Sequence, residues 1–569
     1  MNKRFLFLFF TLLILALVLS GCTTKDTETP SVAPEPTTPV VDEPTDTPPS
    51  DEPVLLTIGG LHDADCWNPY VCTANYIWGQ IILHGFTTYG NSSDACPAQP
   101  GLARSWEVSE DGMTWTINLF EGLSYSDGTP ITAHTIKEFM DFQTSNPALA
   151  GWFLESANLE SVEVIDDLTL KYTTSVPMRH SPDATWAVWF MNPPHIWSGL
   201  DETEVFTFSN YPPVGAGPYA LTEHVPGSYM IFDAREEYHL GKPPIDRVVY
   251  RIYTNADALV SALITGEIDL TTPLLPPESV QALENISNIT LEKKFPGDTY
   301  DLVFNMAEYG TGHPAIKDGN VRMAIDYAID KQQLVDIALL GEGIVCPTNW
   351  ACGPNFEGKL NPDLKVTPFD LAEAGRILDE AGYLDADGDG IRESPDGLPM
   401  EFGLYYATDF PAELTLAQMI AGWLGEIGIQ VDVQALDWGT WFYQVSDQHD
   451  FDMAIDLRTP ETDPSAIDFW LGCWAAEPGP FTFNAPGYCN EAMDEAVLGY
   501  VFANDPEAGL ESIFEAQRLL NQDRPMIVLA GPMQIQGFRN DRFKFPMDTC
   551  YADISGMYGF SGLMNAEVK

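Results

Sequence analysis

Past residue 55 the chain alternates between two periodicities, and this alternation restricts its fold more than any single motif. Thr114–Leu119 places apolar and polar side chains in turn, the period of a half-buried strand. Asp370 stands where a helix cap belongs, followed by Leu371, Ala374, Ile377, Leu378 and Ala381 on one face and by Gly382 as a stop. Asp505-Pro506 opens a second helix whose apolar face runs through Leu510, Ile513, Phe514 and Leu520. Pro525 ends it, and Met526–Leu529 reads as the next strand. Strands and helices that interleave in this way, without an internal repeat, predict a large α/β protein.

The amino terminus is of different material. Lys3 and Arg4 precede an apolar run from Phe5 to Leu19, and Leu19-Ser20-Gly21-Cys22 follows. A basic start, an apolar centre and small residues at a cleavage point predict a signal peptide over 1–21. A Cys directly after that point resembles the lipobox of bacterial-type lipoproteins, which implies lipid attachment at Cys22 and an extracytoplasmic, membrane-anchored location. Residues 22–54 contain 8 Thr, 8 Pro and 8 acidic side chains among 33 positions, with no aromatic residue. Such a segment buries too little surface to offset its ordering entropy and is expected to be a disordered tether.

Charge narrows the partners. The 569 residues carry 27 basic and 83 acidic side chains, a net −56, and −51 of it lies in residues 55–569. A field of that sign repels phosphate backbones, and no cluster of Lys and Arg interrupts it, so no nucleic acid is expected as a partner. Aromatic and apolar residues suffice for real cores.

Eight cysteines follow Cys22, an even number that reads as disulfides in an exported chain. The short spacings predict Cys346–Cys352 and Cys473–Cys489, while the pairing among Cys66, Cys72, Cys96 and Cys550 stays open. HExxH, GxSxG, GxxxxGK[ST] and a strand-linked GxGxxG are all absent, and no enzyme is expected. One loop does carry chemistry. Asp385, Asp387 and Asp389 occupy positions 1, 3 and 5 of an EF-hand-like calcium loop, with Gly390 at 6, the Ile391 carbonyl at 7 and Glu393 at 9. Position 12 is Asp396, a shorter carboxylate than the usual Glu. A structural Ca2+ is the expected occupant, against an ion-free Gly- and Asp-rich turn.

Four blocks resemble the family 5 solute-binding proteins of ABC importers. The first is Gly101–Trp115, GLARSWEVSEDGMTW, continuing into Ser126–Ala133. The second comprises Val214–Tyr219, Gly241–Asp246 and Leu263–Asp269. Phe304-Asn305 with Val321–Asp330 forms the third, and the fourth runs from the Asp370 helix to Pro532. The resemblance implies a two-lobed periplasmic-binding-protein-like fold of type II with an extra subdomain in the first lobe. It places lobe I at 55–95, 210–305 and 533–569, the subdomain at 96–209 and lobe II at 306–532. It implies a monomer that captures a solute between the lobes and hands it to permease subunits in the membrane.

In peptide-binding members an Asp just before a conserved-type Asp-Pro pair holds the ligand amino group. Here Asp463-Pro464 is present, but Pro460 stands at that Asp's place with Glu461 beside it. Arg458, Thr459, Glu461 and Asp463 are therefore the ligand candidates in this loop, with Arg458 suited to a carboxylate. The resemblance adds Asn75, Tyr76, Trp78, Asn305, Tyr405, Trp438 and Trp474 as candidates in cleft-lining segments. Peptides are the expected solute; oligosaccharides, which also stack on aromatic rings, are the alternative within the family. An exported hydrolase or a ligand sensor on the same fold is the alternative of another class.

Overall fold

The computed structural model describes residues 52–569 apart from 65, 73–77, 84, 89–97, 150–156, 180, 185, 187–188, 273–274, 296, 354–355, 357, 460–462, 477–482 and 547–559. Cys22, Asn75, Tyr76, Cys96, Glu461 and Cys550 lie outside the described residues. Two large mixed sheets and one small antiparallel sheet carry the fold.

The first large sheet has seven strands. Leu55–Gly60 lies at its centre, parallel to Arg247–Ile252 on one side and to Leu270–Thr271 on the other. Tyr229–Ala234 and Tyr219–Val225 extend it antiparallel. Gln534–Arg539 and Ile289–Lys294 complete the far side. Leu56, Ile58, Val248, Tyr250 and Phe538 are among the buried residues that pack its core with Trp67 and Trp78.

The second sheet has six strands, in the order Gly343–Ile344, Met526–Pro532, Thr299–Phe304, Met453–Arg458, Glu401–Ala407, Gln430–Leu436. Glu401–Ala407 runs parallel to both of its neighbours, and Thr299–Phe304 is antiparallel to both of its own. Two separate apolar clusters cover its faces. Alternation explains the division: Leu302, Phe304, Met453 and Ile455 enter one cluster, Val303 and Ala454 the other. The Asp370 helix forms as the periodicity predicts, over Leu371–Glu380, with the Asp370 side chain accepting from Glu373 N and with Ala374, Ile377 and Leu378 buried. Asp505 caps Pro506–Asp523 in the same manner, and Met526–Pro532 follows.

Residues 103–174 hold the small sheet, ordered Ala103–Val108, Thr114–Leu119, Thr169–Thr174, Leu159–Asp166. Trp115, Ile117 and Leu119 are the buried members of the alternating strand. Each contributes roughly 1.5–3 kcal/mol by leaving water. They pack with Trp186, Trp189 and the helix Ala133–Ser145, which a Thr132–Thr135 capping box opens.

Two segments join the large sheets. Residues 295–298 lead from Ile289–Lys294 into Thr299–Phe304, and Met533 separates Met526–Pro532 from Gln534–Arg539. Thr299–Phe304 thus pairs within the second sheet, which corrects the expectation that lobe I runs to residue 305. The physical reason is register: all six of its residues pair with Met453–Arg458. Between the crossings, Gln534 Nε2 donates to Asp298 Oδ2 at 3.2 Å. Phe295 packs where Gly531 and Gly353 leave room; a Cβ at either would lie 2.4 or 2.3 Å from its ring.

Cys346–Cys352 and Cys473–Cys489 are paired as the spacing predicts, and Cys66 is bonded to Cys72.

Candidate functional site

Parallel strands bring like ends together. Glu401–Ala407, Gln430–Leu436 and Met453–Arg458 finish at one edge of the second sheet, where the antiparallel Thr299–Phe304 begins. In open α/β sheets, ligands gather at the carboxyl ends of such strands. The corresponding edge of the first sheet ends in Gly60, followed by His62. The two edges approach each other: the Asp409 carboxylate beyond the 401–407 strand raises the His62 pKa, partly offsetting the larger lowering by burial. These edges, joined through residues 295–298 and Met533, bound the candidate solute cleft.

The second-lobe edge carries an unusual buried group. Asp301 and Asp456 are directly opposite across the antiparallel pair, and Thr299 faces Arg458 two pairs nearer the strand end, on the same face. Arg458 Nε donates to Asp301 Oδ2 at 2.7 Å, and its Nη2 donates to the Trp350 carbonyl at 2.5 Å. The guanidinium also lies over the Trp350 ring, 4.3 Å from its centre. Burial pushes the Asp301 carboxyl up to about 6, against the pull of Arg458. Asp456 is pushed up to about 7, first by burial and then by the like charge of Asp301. Asp298, at the hinge, is raised by burial to about 6 while its hydrogen bonds to Thr459 and Gln534 act the other way. Burial also holds Glu413, at the start of Pro411–Glu426, well above the ordinary range; its Oε2 accepts from Ala407 N.

Several residues that sequence singled out are engaged elsewhere. Trp78 is wholly buried and packs against Trp67 in the first-lobe core. Asn305 lies at the end of Thr299–Phe304 away from the cleft, where its side chain donates to the His449 and Phe451 carbonyls. Tyr405 lines an open groove on the sheet face with Asp432, Asp450 and Asp452. Arg458 is turned inward on Asp301, and among the described residues its buried Nη1 has no partner. Asp463 is buried and takes Lys359 Nζ at 2.9 Å and Tyr500 Oη at 2.7 Å. Trp474 is 64% exposed, its indole N–H directed to Asp468.

Two candidates do reach the cleft edge. Trp438 follows Gln430–Leu436, donates its backbone N–H to Asp409 and stacks on Trp441 at 5.1 Å. Thr459 is exposed just beyond Arg458 and bonds Asp298. Sequence reasoning missed Asp298, Asp301, Asp456 and Glu413. The available signal was the polar pair Asp456 and Arg458, two apart in an otherwise apolar strand and so on one face.

In the Asp-rich loop, carboxylate oxygens of Asp385, Asp387, Asp389 and Glu393 all lie within 4.8 Å of one another. Asp385 accepts from Gly388 N and Gly390 N, both glycines having positive φ, and Glu393 accepts from Ala386 N. Asp396 is not in the cluster, contrary to the EF-hand numbering. Glu393 pairs in β-bridges with Leu384 and Pro399, so the chain enters a Ser394–Gly397 turn instead of the helix that would bring position 12 to the ion.

Residues 98–476 match the model of the bacterial extracellular solute-binding proteins, family 5. The chain belongs to this family. Protein XP55 of Streptomyces lividans is 29% identical over 75% of this chain and 74% of its own length. The oligopeptide-binding protein AppA of Bacillus subtilis is 25% identical over 73% of this chain and 75% of its own. The AppA structure with a nonapeptide superposes with a TM-score of 0.76 at 20% identity, covering 91% of this chain and 100% of AppA. A periplasmic oligopeptide-binding protein of Thermotoga maritima, solved with mannohexaose bound, gives 0.76 at 21% identity, covering 91% of this chain and 99% of its own. The family member described here therefore has the two-lobed periplasmic-binding-protein fold. Among the described residues no helix is long and apolar enough to cross a membrane.

Proposed function

We propose that this family member is the substrate-binding protein of an ABC importer, taking up peptides in the interlobe cleft and delivering them to membrane permease subunits. The observation that carries the proposal is the cleft itself: two strand edges face each other across two hinge segments, with polar groups buried at the floor. The named peptide-binding relatives support peptides as the solute. Nothing in this reading requires catalysis, since the arrangement needs only to enclose and release. The Cys22 motif supports a lipid anchor, with 22–54 as the tether. Cys22→Ala is expected to release the protein from membranes into the soluble fraction.

An oligosaccharide is the second reading, supported by the stacked Trp438–Trp441 pair at the cleft edge and by the mannohexaose-bound relative. Isothermal titration of a di- to hexapeptide library against cello-, xylo- and manno-oligosaccharides separates the two. Heat with peptides supports the leading reading. Heat with sugars and none with peptides overturns it. The Asp385–Glu393 loop is proposed to hold Ca2+ through carboxylates and the Ile391 carbonyl, as a staple distant from the solute.

A further inference from the structure

Between the helix Glu278–Leu283 and the strand Ile289–Lys294 the chain turns through Asn285-Ile286-Ser287-Asn288 and enters the strand at Ile289-Thr290. These six residues are two successive Asn-x-Ser/Thr triplets. Such a triplet accepts N-linked sugar where it stands on the surface of an exported chain. The family is extracellular, so the turn lies outside the cytoplasm. A third triplet, Asn91-Ser92-Ser93, falls outside the described residues.

The fold treats the two triplets differently. Asn285 and Ser287 are both exposed, and among the described residues neither side chain has a hydrogen-bond partner. Backbone bonds alone shape the turn there: Ile286 N donates to the Leu283 carbonyl at 3.1 Å, and Ile289 N to the Ile286 carbonyl at 3.0 Å. Asn288, in contrast, is half-buried and its side chain bonds the Asp541 carboxylate. Thr290 Oγ1 accepts from Asn540 Nδ2 at 3.0 Å, and Asn540 N donates to the Asn288 carbonyl at 3.0 Å. A sugar on Asn288 would break the bond to Asp541 and displace Asn540. A sugar on Asn285 displaces only water.

We propose that Asn285 carries an N-linked oligosaccharide and that Asn288 does not. In the transfer the Asn285 amide nitrogen bonds to the anomeric carbon of a lipid-phosphate-linked oligosaccharide. The bond from that carbon to the phosphate oxygen breaks, the lipid phosphate leaves with the electron pair, and the amide gives up one of its two protons. A transferase outside the cytoplasm supplies the catalysis, and this chain supplies the acceptor. Charge permits the approach of such an anionic donor. The acidic exterior repels it in general, but the carboxylates that border the turn are answered: Glu284 by Lys293 at 2.9 Å and Asp541 by Arg539 at 2.6 Å. The position also leaves the lobes free. Ile289–Lys294 starts beside the turn and runs away from it, so its 6 residues set the sugar roughly 20 Å from the crossing at 295–298. The inference does not depend on which solute the cleft takes.

The test is peptide mapping by mass spectrometry on the whole protein purified from the cells that naturally produce it, with variants made in the same cells. The peptide that spans 285–290 should carry the mass of one oligosaccharide, and electron-transfer fragmentation should place it on Asn285. The added mass should vanish in Asn285→Gln and in Ser287→Ala, and persist in Ser287→Thr and Asn288→Gln. An unmodified peptide in the natural protein would overturn the inference. Sugar on Asn288 would overturn the selection between the triplets. Mass lost in Ser287→Ala but kept in Asn285→Gln would mean attachment to the hydroxyl and would overturn the assignment to Asn285.

Discussion

Arg458 and Asp301, 157 residues apart in sequence, form an ion pair whose side chains are 2% and 0% exposed. The pair joins two neighbouring strands of the second lobe at the edge that faces the cleft. Its stability consequence is asymmetric. Removing one partner strands the other charge in the interior, which generally costs about 3–5 kcal/mol. Arg458→Met should lower the urea midpoint accordingly, and Asp301→Asn in the same chain should restore most of the loss. An unchanged midpoint for Arg458→Met would show that the pair is not buried in solution.

Asp298, Asp301 and Asp456 predict an inverted pH response. Their folded pKa values stand at about 6, about 6 and about 7, above the ordinary carboxylate value of 3.8. Between about pH 4 and 7 the folded state therefore holds more protons than the unfolded chain, and stability falls as pH rises through that window. The contribution is fully present below the unfolded pKa and is lost above the folded one. The histidines His62, His239 and His449 are held below the ordinary imidazole value by burial and oppose this trend in the same window, so the readout is a comparison of chains. Without solute, Asp456→Asn should shift the change in melting temperature from pH 5 to pH 7.5 in favour of the higher pH relative to the wild-type protein. Carboxylates held low by ion pairs, such as Asp541 at about 2, act at more acid pH and do not mask the effect.

The Asp385–Glu393 loop gathers four carboxylates, and its basic residue, Arg392, is engaged by Asp379 and the Tyr383 and Ile427 carbonyls. With Ca2+ bound at 100 times its Kd the folded chain would gain about 2.7 kcal/mol. Chelator should lower the melting temperature, Ca2+ should restore it, and Asp389→Ala should remove the response. A curve indifferent to chelator would mean that the hydrogen-bonded turn stands alone.

Arg179 of the small-sheet subdomain reaches the second lobe, its Nε donating to Asn504 Oδ1 at 3.1 Å just before Pro506–Asp523. Its Nη2 is held by the Ser109 and Glu110 carbonyls, so the side chain is set in place for this contact. An exposed neutral acceptor makes it worth about 1 kcal/mol, and Arg179→Ala should speed solute release about fivefold with little change in melting temperature. Stopped-flow displacement measures this; an unchanged release rate would remove the contact from lobe closure.

The strands and helices were legible in sequence because their determinants are local. Thr114–Leu119 alternates as its burial does, and the Asp370 and Asp505 caps hold their helices where periodicity placed them. The cysteine clips were legible for the same reason, their loops being short. The site residues were not. Trp78, Asn305 and Asp463 have side chains that suit a ligand, yet burial and internal partners engage them all. Asp301 bears no motif, and its meaning comes only from a strand that arrives 157 residues later to place Arg458 beside it.

By itself, then, the sequence determined the acidic composition, the α/β class and the family, since each resides in composition, periodicity or contiguous motif. Only the tertiary structure decided which charges meet. Strand register set Asp301 against Asp456 and turned Arg458 inward, and burial at that edge raised the carboxylates. Charge interactions depend on distance and dielectric, and both are properties of the folded arrangement.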